Sequence, residues 1–190
     1  MKNNHTWVIC AYGESEFLEA CILSLQAQTL PSKIICYSST PLDSIKQLCQ
    51  KYGIPFYTKE GGGIGKDWNN ALTFVETSYA TIAHQDDYYE PTYLEAVMQK
   101  IEQSKDILIA YTDYFEEKNG VKIPANTNLK IKTLMLKTLN LMPSSRFWRN
   151  RVLAFGNPIS CPAVTYNLEA LRDFRFDEEM RVSLDWYAWY

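Results

Sequence analysis

Two adjacent aspartates, Asp86 and Asp87, follow the apolar run at 79–83 and the dipeptide His84-Gln85. Adjacent carboxylates repel each other and are costly to desolvate at the end of a buried strand. A divalent cation neutralises such a pair and takes carboxylate oxygens as ligands. The sequence therefore predicts a metal-and-phosphate site at this position. A solvated acidic turn that caps the next helix is the alternative.

The elements that would position these carboxylates alternate between strand and helix. Apolar strand patterns are followed by helical spacing of apolar residues, and the strands are predicted at 7–11, 33–37, 54–58 and 79–83. This order predicts an α/β fold with a mostly parallel central sheet flanked by helices. Ligands bind at the carboxyl ends of strands in such sheets, and Tyr12, Ser38 and the aspartate pair lie at those ends.

The rest of the chain is less regular. Strands are predicted at 106–111 and 159–166, and Asn119-Gly120 predicts a hairpin turn between them. Thr40 is predicted to cap a helix that has Pro41 at its first position. The aromatic-rich residues 185–190 indicate a helix that is beginning, so we expect the natural protein to be longer.

The glycine-rich run at 61–65, with Lys66 behind it, resembles a phosphate-binding loop. That motif requires a glycine where Glu60 stands and a serine or threonine where Asp67 stands, and the sequence fails at both positions. A glycine loop before a helix can still approach a diphosphate through its backbone N–H groups, with Lys66 assisting. A plain turn is the alternative.

Charge is unevenly distributed along the chain. The formal net charge is −3, but residues 125–160 carry six basic side chains and no acidic one, so the remainder carries −9. Such a segment, interleaved with apolar residues, fits an anionic lipid surface, a lipid-linked diphosphate or a partner protein. A solvated helix face is the alternative. The acidic remainder and the lack of a nucleic-acid motif argue against nucleic acid as a partner.

Length and cysteine content indicate one domain in a reducing compartment. The 190 residues, 46% of them hydrophobic, suffice for one sizeable core. Neither a signal peptide nor an apolar run of about 20 residues is present, so no membrane span is predicted. The five cysteines are an odd number without a close pair, and we expect them to be reduced core residues of a cytoplasmic protein.

Four segments, taken in order, resemble the family 2 glycosyltransferases, whose fold is called GT-A. They match that family's opening strand and helix, its next helix start, its Asp-x-Asp motif and its late catalytic Asp, and lie at 8–29, 67–72, 84–87 and 184–186. The resemblance covers nearly the whole chain. It implies a single GT-A domain over 1–190, which we expect to lack its C-terminal part.

The resemblance implies transfer of a sugar from a nucleotide-sugar, a UDP-sugar first of all, to a glycan or lipid-linked acceptor. In that scheme Asp87 binds the metal, Asp86 holds the ribose or the donor sugar, and Asp185 is the base of an inverting reaction. Oxygen ligands indicate Mg²⁺ or Mn²⁺ rather than zinc. Tyr12 would stack on the base. Further donor contacts are expected from Ala11, Ser38, Lys66 and Asn69.

Three positions depart from the family pattern. Cys10 stands where a proline is usual, and residues 36–40 lack the acidic side chain that reads the nucleotide base. His84 replaces the first Asp of the acidic motif, and its ring could either hydrogen-bond a phosphate or pack against the sheet. The base preference is therefore open.

Two other functions compete with sugar transfer. A metal-dependent nucleotidyltransferase shares the sheet and the acidic motif, but it typically has a basic glycine-rich loop after the first strand. Residues 12–16 contain no basic side chain, which argues against it. A non-catalytic module that binds nucleotide and metal is the other possibility, because the motifs are altered.

Overall fold

A computed structural model describes residues 4–104, 106–118 and 120–190. Its strands are β1 (His5–Cys10), β2 (Lys33–Tyr37), β3 (Phe56–Tyr57), β4 (Tyr79–His84), β5 (Ile109–Tyr111), β6 (Glu117–Lys118), β7 (Val121–Lys122) and β8 (Val164–Asn167). Its α-helices are α1 (Leu18–Gln26), α2 (Asp43–Lys51), α3 (Ile64–Leu72), α4 (Tyr93–Glu102), α5 (Thr127–Leu139), α6 (Arg146–Leu153) and α7 (Leu184–Trp189).

Six of the strands form one mixed sheet in the order β3-β2-β1-β4-β8-β5. The first four in this order are parallel, as predicted, whereas β8 runs antiparallel to both β4 and β5. The register pairs Cys10 with Tyr37 and with His84. The carboxyl ends of β1, β2 and β4 therefore meet at one edge of the sheet.

The sheet is buried on both faces because successive side chains of a strand point in opposite directions. Trp7 and Ile9 of β1 face a core built with α1, α2 and α4, while Val8 faces a core that includes Ala71 of α3. A third cluster packs α5, α6, α7 and Phe176 around Ile82 of β4. The result is the α/β arrangement with helices on both sides that the sequence predicts.

Four local predictions need correction. Helix α2 begins at Asp43, so Thr40 and Pro41 precede it; the Thr40 hydroxyl instead accepts a hydrogen bond from the Gly13 N–H at 3.0 Å. The third strand covers only Phe56–Tyr57 rather than 54–58, and β5 covers only Ile109–Tyr111 rather than 106–111. The strand predicted at 159–166 begins at Val164, because Cys161–Ala163 form a 3₁₀ turn that contains a proline.

Other predictions hold or fall outside the described residues. The basic segment at 125–160 contains two helices, α5 and α6, and the helix predicted at 185–190 begins at Leu184. In the predicted hairpin, Asn119 lies outside the described residues, although β6 and β7 pair on either side of it. All five cysteines are free thiols, and four of them are buried. Within the described part of the chain, none of the helices is long and apolar enough to cross a membrane.

Candidate functional site

A cavity of about 610 Å³ opens where β1, β2 and β4 end. Its walls are the residues after β1, the loop after β2, the glycine-rich segment with the start of α3, and the end of β4. They include Ala11, Tyr12, Ser39, Thr40, Asp67, Trp68, His84, Gln85 and Asp86. This is the edge at which parallel α/β sheets bind their ligands.

Gln85 holds two walls of this cavity together. Its side-chain amide donates to the Tyr12 carbonyl at 2.8 Å, and its side-chain oxygen accepts from the Tyr12 N–H at 3.2 Å. The backbone of Tyr12 is thereby fixed, while its side chain remains 69% exposed. A fixed backbone with a free ring suits Tyr12 for stacking on a planar ligand.

Three side chains at the end of β4 lie close enough to share one cation. His84, Asp86 and Asp87 each offer one ligand atom, and these atoms lie within 4.8 Å of one another. One His84 nitrogen, Nδ1, lies 3.7 Å from Asp87 Oδ2, and the other, Nε2, is buried without a partner among the described residues. A donor set of two carboxylates and one imidazole fits a divalent ion such as Mn²⁺.

Burial shifts the pKa values of His84 and Asp87 in the directions that favour the neutral form of each group. Desolvation lowers the pKa of His84, although Asp87, Asp86 and Asp185 act in the opposite direction. Desolvation raises the pKa of Asp87, and the nearby His84 partly offsets this. The His84 ring is therefore neutral at neutral pH and keeps a lone pair for a ligand.

His84 also packs, as one of its two predicted roles requires. Its ring stacks on Trp68 of α3 with 5.6 Å between centroids and 23° between planes. Trp68 is itself buried against Phe176. The imidazole is thus held in place from the side of α3.

Asp185 approaches the same cluster from the far end of the chain. Its charge raises the pKa values of both His84 and Cys161, so it lies within electrostatic range of the two groups. The Asn157 side chain donates to Asp185 Oδ2 at 2.7 Å and orients the carboxylate. Helix α7 begins here after Ser183, which has a left-handed backbone with φ of 55°.

The glycine-rich segment packs closely on the loop after β2. A Cβ at Gly61 would lie 2.6 Å from the Cβ of Ser39, so this close approach requires a glycine. Ser39 Oγ in turn donates to Asp67 Oδ2 at 2.8 Å. Lys66 lies behind the loop, with its side chain against Gly62. Gly61, Gly62, Gly63 and Ile64 therefore form a wall of the cavity, which Lys66 does not line.

Three residues that were predicted to contact the donor, Ser38, Lys66 and Asn69, are not among those that line the cavity. Ser38 is fully buried, and its hydroxyl accepts from the Thr40 N–H at 3.1 Å, so it shapes the loop. Asn69 points the other way, donating to the Phe176 carbonyl and accepting from the Phe176 N–H, both at 2.9 Å. The Ser38 and Asn69 side chains both hold backbone in this structure, and their direct contact with a donor stays a prediction.

Asp87 stands next to the cavity rather than among its lining residues, whereas Ala11, Tyr12 and Asp86 line it directly. The structure also adds residues that sequence reasoning missed, namely Gln85, Asp67, Trp68 and Asn157. The position of Gln85, between a strand end and an acidic pair, was the available signal for its role. Asn157 lies in an irregular loop and gave no signal.

The sequence matches the family described as Glycosyl transferase family 2 over residues 6–162. Among curated proteins it is similar to "Glycosyltransferase GlyA" of Streptococcus pneumoniae serotype 4 (strain ATCC BAA-334 / TIGR4). The two are 24% identical over 123 residues, which is 61% of this chain and 18% of that protein.

Solved structures share the fold over nearly the whole chain. S. aureus TarS 1-349 in complex with UDP-GlcNAc superposes with a TM-score of 0.71 at 18% identity, covering 98% of this chain and 52% of that one. The mannosyltransferase PcManGT from Pyrobaculum calidifontis, in complex with GDP-Man and Mn²⁺, gives 0.63 at 11% identity, covering 93% and 48%. The fold is thus the GT-A type expected from the sequence, and the chain spans about half the length of these structures.

Proposed function

Because this chain belongs to the family 2 glycosyltransferases, we propose that it transfers a sugar from a nucleotide-sugar donor to a glycan or lipid-linked acceptor. One observation carries the proposal: a cavity at the carboxyl ends of β1, β2 and β4 is lined by two members, His84 and Asp86, of a cluster of two carboxylates and one imidazole. A nucleoside diphosphate combines a planar base with a charged group that needs a cation, and the cavity offers a counterpart for each.

In the proposed donor complex, Tyr12 stacks on the base, and the backbone of Ala11 lies beside it. Asp86, which lines the cavity, holds the ribose or the donor sugar. Lys66 reaches the diphosphate from behind the glycine segment, while Ser38 and Asn69 hold the backbone around it. We propose a UDP-sugar as the donor, supported by the UDP-GlcNAc complex of TarS.

His84-Gln85-Asp86-Asp87 takes the place of the family's Asp-x-Asp motif in this proposal. Asp87 is the principal metal ligand, with Asp86 and His84 in reach of the same ion. Bound Mn²⁺ or Mg²⁺ would stabilise the negative charge that grows on the departing nucleoside diphosphate. An imidazole nitrogen among the ligands favours Mn²⁺ of these two ions.

Asp185 is the proposed general base. The acceptor oxygen forms a bond to the anomeric carbon, the bond from that carbon to the diphosphate oxygen breaks, and the hydroxyl proton moves to the Asp185 carboxylate. Attack opposite the leaving group inverts the anomeric centre. The hydrogen bond from Asn157 holds one Asp185 oxygen, which leaves the other for the acceptor proton.

We also propose that the reaction takes place in the cytoplasm, in the assembly of a surface polysaccharide.

Calorimetric titration with UDP, GDP, CDP and dTDP, each with and without Mn²⁺, tests the donor site. We expect metal-dependent binding of UDP and weaker binding of the other three. Glu60→Gln, which removes an exposed carboxylate near the glycine segment, is the control for loss of charge alone. No binding of any nucleotide would overturn the proposal. Binding without donor hydrolysis or transfer would leave the non-catalytic module as the better description.

A further inference from the structure

Helices α5 and α6 expose cations and apolar side chains together on their outer surfaces. Their inner faces pack into the core through Leu136, Leu139, Val152 and Leu153. The Trp148 Nε1–H donates to the Thr138 carbonyl at 2.8 Å and fixes α6 against the end of α5. The outer surfaces of both helices belong to the segment 125–160, which has six basic residues and no acidic one.

On α5 the exposed side chains recur at helical spacing. Lys130, Ile131, Leu134 and Lys137 all lie on the outer side, and Leu134 is 64% exposed. A solvated helix face normally has polar residues at such positions. Here two large apolar side chains lie between two lysines.

On α6 the same combination recurs. Arg146, Phe147 and Arg151 are exposed, with Phe147 70% exposed, and Phe155 just beyond the helix is 88% exposed. The Arg151 guanidinium lies 5.3 Å from the centroid of the Phe147 ring. We call these residues, with the four on α5, the basic face.

The cations of the basic face have no acidic partner in the part of the chain that the structure describes. The ion pairs among described residues involve other lysines, such as Lys51 with Glu19. Neither the cavity at the strand ends nor a second one of about 280 Å³ near Tyr52 is lined by the basic face. The face thus offers charge and apolar side chains away from both of these cavities.

We propose that the basic face docks on the surface of an anionic phospholipid membrane. Lysine and arginine pair with lipid phosphates, while Leu134, Phe147 and Phe155 enter the boundary between headgroups and acyl chains. The charge of −9 on the remainder of the chain is repelled by the same surface and orients the molecule with this face towards it.

Docking by this face would bring the membrane close to the proposed base. The Trp186 indole, next to Asp185, donates to the Leu153 carbonyl at the end of α6, at 3.0 Å. Asn157, which orients Asp185, follows Phe155 by two residues. A lipid-linked acceptor held in the membrane would therefore reach Asp185 from the side of α6.

Co-sedimentation with vesicles tests the proposal on the full chain. We expect binding to phosphatidylglycerol–phosphatidylcholine vesicles at 0.1 M salt. Little binding is expected to phosphatidylcholine alone or at 0.5 M salt, where charges are screened over about 4 Å. The triple variant Lys130→Gln, Lys137→Gln, Arg151→Gln should bind roughly 100-fold more weakly, from the usual contribution of each cation near an anionic surface.

A matched triple variant, Lys33→Gln, Lys46→Gln, Lys51→Gln, changes the net charge equally at another place and should keep most of the binding. Leu134→Gln with Phe147→Gln should also weaken vesicle binding relative to the wild type, and Leu23→Gln, at an exposed position of α1, should not. Equal losses from the two triple variants would overturn the proposal, because binding would then depend on net charge alone.

Self-association that Leu134→Gln abolishes, measured by sedimentation velocity, would overturn it too and would assign the face to a second copy of the chain. Nucleotide binding in the absence of vesicles should be the same for all these variants, so failure here leaves the donor site untouched.

Discussion

The two histidines of the chain lie at opposite ends of the paired strands β1 and β4. They differ in whether their ring nitrogens have hydrogen-bond partners. His5, at the start of β1, is buried with Nδ1 2.8 Å from Ser32 Oγ and Nε2 2.9 Å from Thr81 Oγ1. His84 ends β4, where its Nε2 has no partner among the described residues and two aspartates lie beside it. Every polar atom of one ring is satisfied, whereas the other ring retains binding capacity.

This difference separates a structural site from a functional one. A buried polar group without a partner costs about 1–3 kcal/mol, so folding favours arrangements like that of His5. The network continues from Thr81 to Thr165, at 2.6 Å between their hydroxyl oxygens, and ties β4 to β8. An arrangement like that of His84 reduces stability and suits a ligand that supplies the missing partner.

The largest effect is expected from Asp185→Asn in the proposed functional site. Without a base, transfer should fall roughly 10²- to 10⁴-fold, while nucleotide affinity and thermal stability stay near wild type. Steady-state transfer rates and calorimetric titration measure the two quantities separately. Glu179→Gln, an exposed neighbour in sequence, is the control. Unchanged turnover would remove Asp185 from the mechanism.

A second test of the proposed functional site is Asp87→Ala, together with removal of metal by EDTA. Both should weaken UDP binding and reduce transfer by about 10²-fold or more, because the charge of the leaving group is no longer neutralised. Re-addition of Mn²⁺ should restore the EDTA-treated protein but not the variant. If the variant binds UDP with the metal dependence of the wild type, the ion lies elsewhere.

Acid should lower the stability of the folded protein through His5, the histidine of the structural site. Burial lowers the pKa of His5 to about 3, so between pH 6.5 and 3 the unfolded chain binds a proton that the folded chain does not. Stability from this group is complete above pH 6.5 and falls with acid, by up to about 1.4 kcal/mol per pH unit. Urea unfolding at several pH values measures the slope. His5→Gln cannot titrate there and should show a shallower slope; equal slopes would contradict the assignment.

Matched substitutions at the two rings give the smallest effects and the sharpest comparison. His5→Phe leaves Ser32 Oγ and Thr81 Oγ1 with one partner fewer and should lower the free energy of unfolding by about 1–3 kcal/mol. His84→Phe keeps an aromatic ring on Trp68 and removes the unpartnered Nε2, while Asp87, which loses its neighbour Nδ1, is part-exposed and can be solvated. It should change stability by less than about 1 kcal/mol while weakening Mn²⁺ binding. Thermal melts and metal titration compare them. Equal loss of stability would mean that both rings are structural.

The sequence was sufficient for those parts of the fold that follow from local periodicity. The alternation of strands and helices predicted the parallel sheet, and the positions of Tyr12 and the aspartate pair after apolar strands predicted where the cavity lies. Position in sequence could not tell which way Ser38 and Asn69 point. Their partners, the Thr40 N–H and the backbone of Phe176, depend on loop paths that lack any periodic pattern.

Long-range placement was equally hidden from sequence. Nothing local indicates that β8 enters the sheet between β4 and β5, or that Asn157 reaches Asp185. These arrangements depend on packing between segments far apart in the chain, which a window of neighbouring residues does not contain. Gln85 is an intermediate case. Its neighbours in sequence indicated the site, but its hydrogen bond to Tyr12 joins segments that are far apart in the chain.

The position of β8 in the sheet has a consequence for how the molecule is made. The second neighbour of β4 in the sheet is β8, because β5 pairs with β8 and not with β4. In a chain that emerges from the ribosome, α5 and α6 are therefore synthesised before β4 can gain this neighbour. Until then the growing sheet ends in an open edge that can pair with another nascent chain. Pairing over such a separation in sequence is slow. The open edge of β4 should therefore favour aggregation during synthesis, and chaperones that cover this edge should raise the yield of the protein.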